Sequence, residues 1–305
     1  MVYIGTTDFA ATVLQGLAGS DHRPQLVVTR PDRPRGRGRL LQSPPVAAAA
    51  RELGIEVDQP EDVNAEAARA RIAASDPKAV CICAYGALIR KPLLCDHEMY
   101  NVHPSLLPRW RGAAPIERAI EAGDRETGVC IMRPIAELDA GPVYLERSAP
   151  IREDDDYASL SGRLALLAAD LLVEVLSTQP EPRPQPQEGV TYAEKIAREE
   201  RRLDPARDAD SLARVVRALT PHVGAYVLTA GGERLGVRRA VTAPEAISPA
   251  PGELTAGDGR LLLGCAAGAL ELLEVQPPGR KPMAAADYLR GRASALAGPA
   301  EAGGG

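Results

Sequence analysis

Asn101 and His103 stand two residues apart in the apolar run "MYNVH", and Asp139 stands in "ELDAGPVY". On an extended strand, residues two apart point to the same side. The Asn amide and the imidazole therefore converge on one small region. These types suit acyl transfer without a covalent enzyme intermediate. An Asn amide donates to a developing oxyanion. A His gives or takes a proton. An Asp beside it holds the imidazole in one tautomer and stabilises its cation. Asp139 lies just ahead of a Gly, where the chain can approach a neighbouring strand end closely. It is the candidate partner of His103. Ser105 lies two residues from His103, but no nucleophile-elbow pattern surrounds it. Direct transfer between two bound substrates, through a tetrahedral intermediate, is the better mechanism. An isolated His at a strand end more often packs in a core with both nitrogens satisfied. The Asn at matching spacing and the proline-rich "PSLLPRWRG" that follows lower that reading.

The elements that must position these residues alternate through the first half. "VYIGT", "QLVVTR", "KAVCICA" and "MYNVH" are strand-like, and "TGVCIMRPI" and "PVYLERSAPI" add two more. Between them, "DFAATVLQGLAGS" places Phe9, Val13, Leu14 and Leu17 on one helical face. "SPPVAAAARELG" starts with Ser43 as a plausible N-cap, "APIERAIEAGD" is helical, and "YASLSGRLALLAADLLVEVLS" is a long amphipathic helix. This pattern predicts a mostly parallel sheet with helices on both faces, in an α/β domain. Its site is expected beyond the carboxyl ends of the strands, where His103 falls. The first domain is expected over residues 1–177. The proline-rich "STQPEPRPQPQEG" opens a linker over 178–200. After the helix "SLARVVRALTP", short alternating runs separated by Gly-rich turns suggest a small all-β barrel over 201–296. The tail 297–305 is expected to be disordered.

The chain has 305 residues and a net charge of −5. From Arg201 onward thirteen basic residues face eleven acidic ones, which makes this part +2 and the first two hundred residues −7. The sharper anomaly is "RPDRPRGRGRL", in which Arg30, Arg33, Arg35, Arg37 and Arg39 are opposed only by Asp32. Arg alternating with Gly and Pro makes a mobile basic loop suited to following phosphates. The five cysteines fit neither a disulfide framework nor a zinc spacing, so no metal is expected. No run approaches the ~20 apolar residues of a membrane span. No signal-peptide pattern opens the chain. The cytoplasm is the expected location.

"NVHPSLLPRWRGAAPI" together with "ELDAG" resembles the folate-dependent formyltransferases. Further pieces occur in that family's order: "GTTDFA", "RPDRPRGRGR", "AYGALI", "GVTYAEKI", "LTPHVGAY" and "QPPGRKPM". They run from Gly5 to about Arg292, and the last segments point to the branch that acts on charged initiator tRNA. The resemblance implies a Rossmann-like catalytic domain followed by a barrel with an OB-like fold that presents basic residues to tRNA. The implied reaction takes the formyl group of 10-formyltetrahydrofolate to the α-amino group of methionyl initiator tRNA, for translation initiation. The implied catalytic residues are Asn101, His103 and Asp139. Ser105, Leu106, Leu107 and Pro108, with Tyr85, Gly86 and Leu88 of "AYGALI", would bind the folate. Arg33, Arg35, Arg37, Arg39, Arg280 and Lys281 would bind the tRNA. A monomer without metal or membrane attachment is expected. Two departures stand out. The family commonly has Pro where Thr7 stands, and Thr-Gly-Asp where this chain has Ala140, Gly141 and Pro142.

Three other readings compete. A formyltransferase for sugar nucleotides or other small amines needs neither the arginine loop nor "QPPGRKPM". A hydrolase of 10-formyltetrahydrofolate would use water as acceptor. A non-catalytic RNA-binding protein would need no Asn, His and Asp together.

Overall fold

The computed structural model describes residues 1–35, 40–244 and 249–290, and the backbone but not the side chain of Arg35. Two compact units emerge. The first comprises residues 1–115, 126–150 and 160–194; the second comprises 116–125, 151–159 and the chain from Lys195 onward. The segment 178–194 thus belongs to the first unit, and two short insertions from the N-terminal half belong to the second.

In chain order the first half contains β1 (Val2–Gly5), α1 (Asp8–Ala18), β2 (Leu26–Val28), β3 (Arg33–Arg35), β4 (Leu40–Gln42), α2 (Pro45–Glu52) and β5 (Glu56–Asp58). Next come α3 (Glu66–Ala74), β6 (Val80–Cys83), α4 (Leu93–Asp96), β7 (Met99–His103), β8 (Arg111–Gly112) and α5 (Pro115–Ala122). β9 (Glu126–Met132), β10 (Val143–Pro150), α6 (Tyr157–Thr178) and β11 (Tyr192–Ala193) complete it. Seven strands form one sheet in the order β10-β9-β7-β6-β1-β2-β5. β5, β2, β1, β6 and β7 are parallel, while β9 and β10 run antiparallel at one edge.

Alternate residues of β1, β2 and β6 (Val2, Ile4, Leu26, Val28, Val80 and Ile82) join Val63, Ile72 and Leu93 in the core of one face. On the other face the Tyr3 hydroxyl donates to the Ala10 carbonyl of α1 at 2.6 Å. Burial on both faces explains the continuous apolar runs. α1 buries Phe9, Val13, Leu14 and Leu17, as their spacing predicts. Its N-cap is Thr7, whose hydroxyl accepts from the Ala10 amide. The threonine that departs from the family's proline is therefore a helix-starting residue. Ser43 does not cap α2; Pro44 occupies that position without a side-chain bond. The Ser43 hydroxyl instead donates to Asp32 at 3.0 Å.

The second unit contains a 3₁₀ turn (Glu199–Arg201), α7 (Ala209–Leu219), β12 (Ala225–Leu228), β13 (Arg234–Thr242) and β14 (Leu254–Gly257). β15 (Arg260–Gly264), β16 (Ala269–Gln276), β17 (Met283–Ala284) and α8 (Ala285–Arg290) follow. Its strands form an antiparallel sheet in the order β12-β13-β16-β15-β14, with β17 also paired to β16. Leu212, Val215, Val216 and Leu219 of α7 close the core over Val237, Leu261, Leu270 and Leu272. Asp208 caps α7 by accepting from the Ser211 amide at 2.7 Å. The insertions are tied in by ion pairs, Arg118 to Glu200 at 2.6 Å and His222 to Glu117 at 2.9 Å. The Rossmann-like sheet followed by a curled β unit agrees with the fold read from the sequence. Among the described residues no helix is long and apolar enough to cross a membrane.

Candidate active site

β7 ends between β6 and β9, in the middle of the sheet's carboxyl edge. The loops after β1, β2, β6 and β7 all leave from this edge, so the parallel topology gathers chain-distant residues there. Asn101 and His103 share one side of β7, paired to Met132 and Cys130 of β9. His103 is buried. Asn101 is half-buried and makes no side-chain hydrogen bond among the described residues, which leaves its amide available to a ligand.

His103 Nε2 lies 2.9 Å from the Trp110 carbonyl. A carbonyl only accepts, so Nε2 carries a hydrogen and Nδ1 is the nitrogen left for proton exchange. Nδ1 faces Asp139 Oδ2 at 3.6 Å. That is too long for a hydrogen bond but short enough for strong attraction once the ring is protonated. The same Oδ2 accepts from the Gly112 amide at 2.8 Å.

Asp139 sits on a turn with φ +46°, a left-handed conformation that Asp tolerates better than most residues. Two glycines make the turn possible. A Cβ on Gly141 would lie 1.8 Å from the Arg133 carbonyl oxygen. Gly112 has φ +124°, and a Cβ there would lie 2.7 Å from the Ala193 carbonyl oxygen. Close pairing of β8 with β11 thus requires glycine and aims the Gly112 amide.

Sequence reasoning missed the third support. In the segment expected to be a linker, Gln185 is buried among exposed neighbours. Its Nε2 donates to the carbonyls of Asp139 at 2.7 Å and Gly141 at 2.8 Å. Its Oε1 accepts from Arg111 Nε at 3.1 Å and Nη2 at 2.8 Å. Arg183 also exchanges two backbone bonds of 2.8 Å with Val143. Proline content signalled an extended run, but nothing in a polar, aperiodic stretch marked which side chain turns inward.

The segment after β7 is committed to its own packing. Ser105 is fully buried and its hydroxyl donates to the Arg109 carbonyl at 2.7 Å. The Leu107 amide reaches Cys130 Sγ at 3.4 Å, and Leu107 packs with Cys130 and Met132. Leu106 lies against Gly128, and the Pro108 carbonyl accepts from the Thr191 amide. After β6, Tyr85 is buried, Gly86 has φ +75° with open space beside it, and Leu88 is exposed. The Tyr85 carbonyl accepts from the Thr6 hydroxyl at 2.8 Å, whereas its own buried hydroxyl has no hydrogen-bond partner among the described residues. Burial pushes the phenol up. The Arg30 guanidinium lies over the Tyr85 ring, 5.9 Å from its centroid, and opposes that rise.

Neither Ser105 nor Cys130 competes with direct transfer as a nucleophile. Ser105 is held inward, and burial pushes the Cys130 thiol up to about 12.

The arginine stretch leaves the same edge after β2. It is not a shapeless loop: β3 pairs antiparallel with β4, Arg33 opposite Gln42. Asp32 anchors the base by accepting from Ser43 and, at 2.7 Å, from Gln59, whose amide also donates to the Arg30 carbonyl at 3.0 Å. Arg33 is exposed and pairs with Glu61 at 2.9 Å. Arg37 and Arg39 lie outside the described residues, as does the side chain of Arg35. Arg280 and Lys281 are exposed in the turn between β16 and β17 of the second unit.

Comparison with known proteins matches both parts of the chain. Residues 1–176 match the family model for formyl transferase, and residues 195–293 match the model for the formyl transferase C-terminal domain. A methionyl-tRNA formyltransferase of Methylococcus capsulatus is 45% identical over 98% of this chain and 98% of its own length. Among solved structures, HypX from Aquifex aeolicus in complex with tetrahydrofolic acid superposes with TM-score 0.65 at 19% identity, covering 94% of this chain. This chain spans 46% of that protein's length. A methionyl-tRNA formyltransferase from Clostridium thermocellum superposes with TM-score 0.57 at 16% identity, over 79% of this chain and 92% of its own. At these identities the structural likeness is one of fold.

Proposed function

The chain belongs to the formyl transferase family, and on that premise we propose that it formylates the α-amino group of methionyl initiator tRNA, taking the formyl group from 10-formyltetrahydrofolate. The observation that carries the reading is the His103–Asp139 pair, set beside Asn101 at the carboxyl edge of the sheet.

The folate supplies an activated formyl carbon. The residues present fit it: the open flank of Gly86 and the half-buried Asn101, whose side chain makes no hydrogen bond among the described residues, leave a polar strand end open to a ligand. Asn101 donates to the oxygen that becomes negative as the amine attacks. His103 takes on Nδ1 the proton that the amine loses. Asp139 stabilises the resulting imidazolium, which then gives the proton to the departing folate nitrogen as the carbon–nitrogen bond breaks and the carbonyl re-forms on the new amide. Ser105 to Pro108 shape the loop through internal bonds, so their contribution to folate binding is positional.

Arg33, Arg35, Arg37 and Arg39 of the arginine stretch, with Arg280 and Lys281 of the second unit, act on tRNA phosphates. In this reading the first unit, with the segment 178–194, carries the chemistry and the second serves the tRNA. The enzyme works in the cytoplasm as a monomer. The test is transfer of labelled formyl to charged initiator tRNA, with charged elongator tRNA and water as control acceptors. Transfer to the initiator alone is expected. Equal release to water would replace this reading with a hydrolase.

A further inference from the structure

We propose that Gln185 is a positioning residue for the catalytic carboxylate, acting through Asp139; this rests on the function proposed above. Gln185 is 8% exposed, within a proline-rich run whose other members at 183, 184 and 186–189 are exposed. A primary amide has two N–H donors and two acceptor lone pairs. Both donors go to the Asp139 and Gly141 carbonyls, and both lone pairs go to Arg111.

These partners form a closed ring. Arg111 precedes Gly112, whose amide holds Asp139 Oδ2. Gln185 therefore grips both the turn that carries the carboxylate and the strand that carries its anchor. The turn supplies little of its own support. Ala140 offers no polar side chain and Pro142 no backbone N–H. The internal bonds of the turn are Ala140 N–H to Glu137 O at 3.4 Å and Arg133 N–H to the Pro142 carbonyl at 2.9 Å. A brace from outside therefore keeps Oδ2 at 3.6 Å from His103.

The experiment compares Gln185→Ala and the near-isosteric Gln185→Glu, each alone and combined with Asp139→Asn. Formyl transfer is measured with both substrates varied, and folding is followed by thermal melting and folate binding. Glu keeps oxygens facing Arg111 but loses the donors to the two carbonyls. Both single variants should fold, keep KM for folate and tRNA within about twofold, and lose on the order of 10- to 100-fold in kcat. In the Asp139→Asn background the same changes should cost less than about twofold, because the carboxylate they position is already gone. Unchanged kcat, an equal loss in both backgrounds, a change confined to KM, or unfolding of both variants would each overturn the proposal. The unmodified protein separates the two readings. If it fails to formylate charged initiator tRNA, the proposed function falls whatever Gln185 does.

Discussion

Replacing Asp139 by Asn removes one charge and almost nothing else. Asn can still accept from the Gly112 amide through its carbonyl oxygen, so the turn keeps its anchor. The lost term is the attraction between a carboxylate and the imidazolium that forms opposite it at 3.6 Å. At an effective dielectric of about 20, two unit charges at that separation attract by about 4–5 kcal/mol. If the full charge has developed in the transition state, this corresponds to about a 10³-fold loss in kcat. Binding should change little if the charge on the imidazole develops only as the amine gives up its proton. Single-turnover transfer with saturating folate and charged tRNA isolates this step. A loss below about tenfold would refute the assignment of Asp139 to charge stabilisation. A large rise in KM at unchanged kcat would instead make it a binding residue.

Asn101→Ala should cost roughly 3–4 kcal/mol of transition-state stabilisation, read from kcat/KM, if its amide is the main donor to the oxyanion. Native-state titration with a thiol reagent should show one fast cysteine, the exposed Cys95, with Cys81, Cys83, Cys130 and Cys265 reacting only on unfolding. The Asp32 carboxyl is held below its ordinary value by hydrogen bonds from Gln59 and Ser43, with Arg51 nearby. Its stabilising contribution is full above the unfolded value of about 4 and is lost as pH falls through the lower folded value. The melting-temperature gap between the parent and Asp32→Asn should therefore be open at neutral pH and close under acid conditions.

Where the sequence was legible, a period explains it. Phe9, Val13, Leu14 and Leu17 repeat at helical spacing and form the buried face of α1. Asn101 and His103 alternate on a strand and share a side. The illegible parts depend on competition between partners. Ser43 has the right type for a helix cap, but the carboxylate of Asp32 takes its hydroxyl. The arginine stretch looks too rich in Gly and Pro to order, yet its stems pair and a Gln59–Asp32 knot pins their root. Burial of Gln185 depends on carbonyls 44 and 46 residues away in sequence. No local pattern records such a partner.

The strand order also sets a length. β7, which carries His103, and β2, from which the arginine hairpin departs, are separated by β6 and β1. Three strand spacings make about 14 Å. The sheet thus works as a ruler between the reacting amine and the root of the basic hairpin. An acceptor whose amine reaches His103 engages that root only if its phosphates begin about that far from the amine. In the proposed reading, an acceptor that engages both places spans the width of three strands between its amine and its first gripped phosphate.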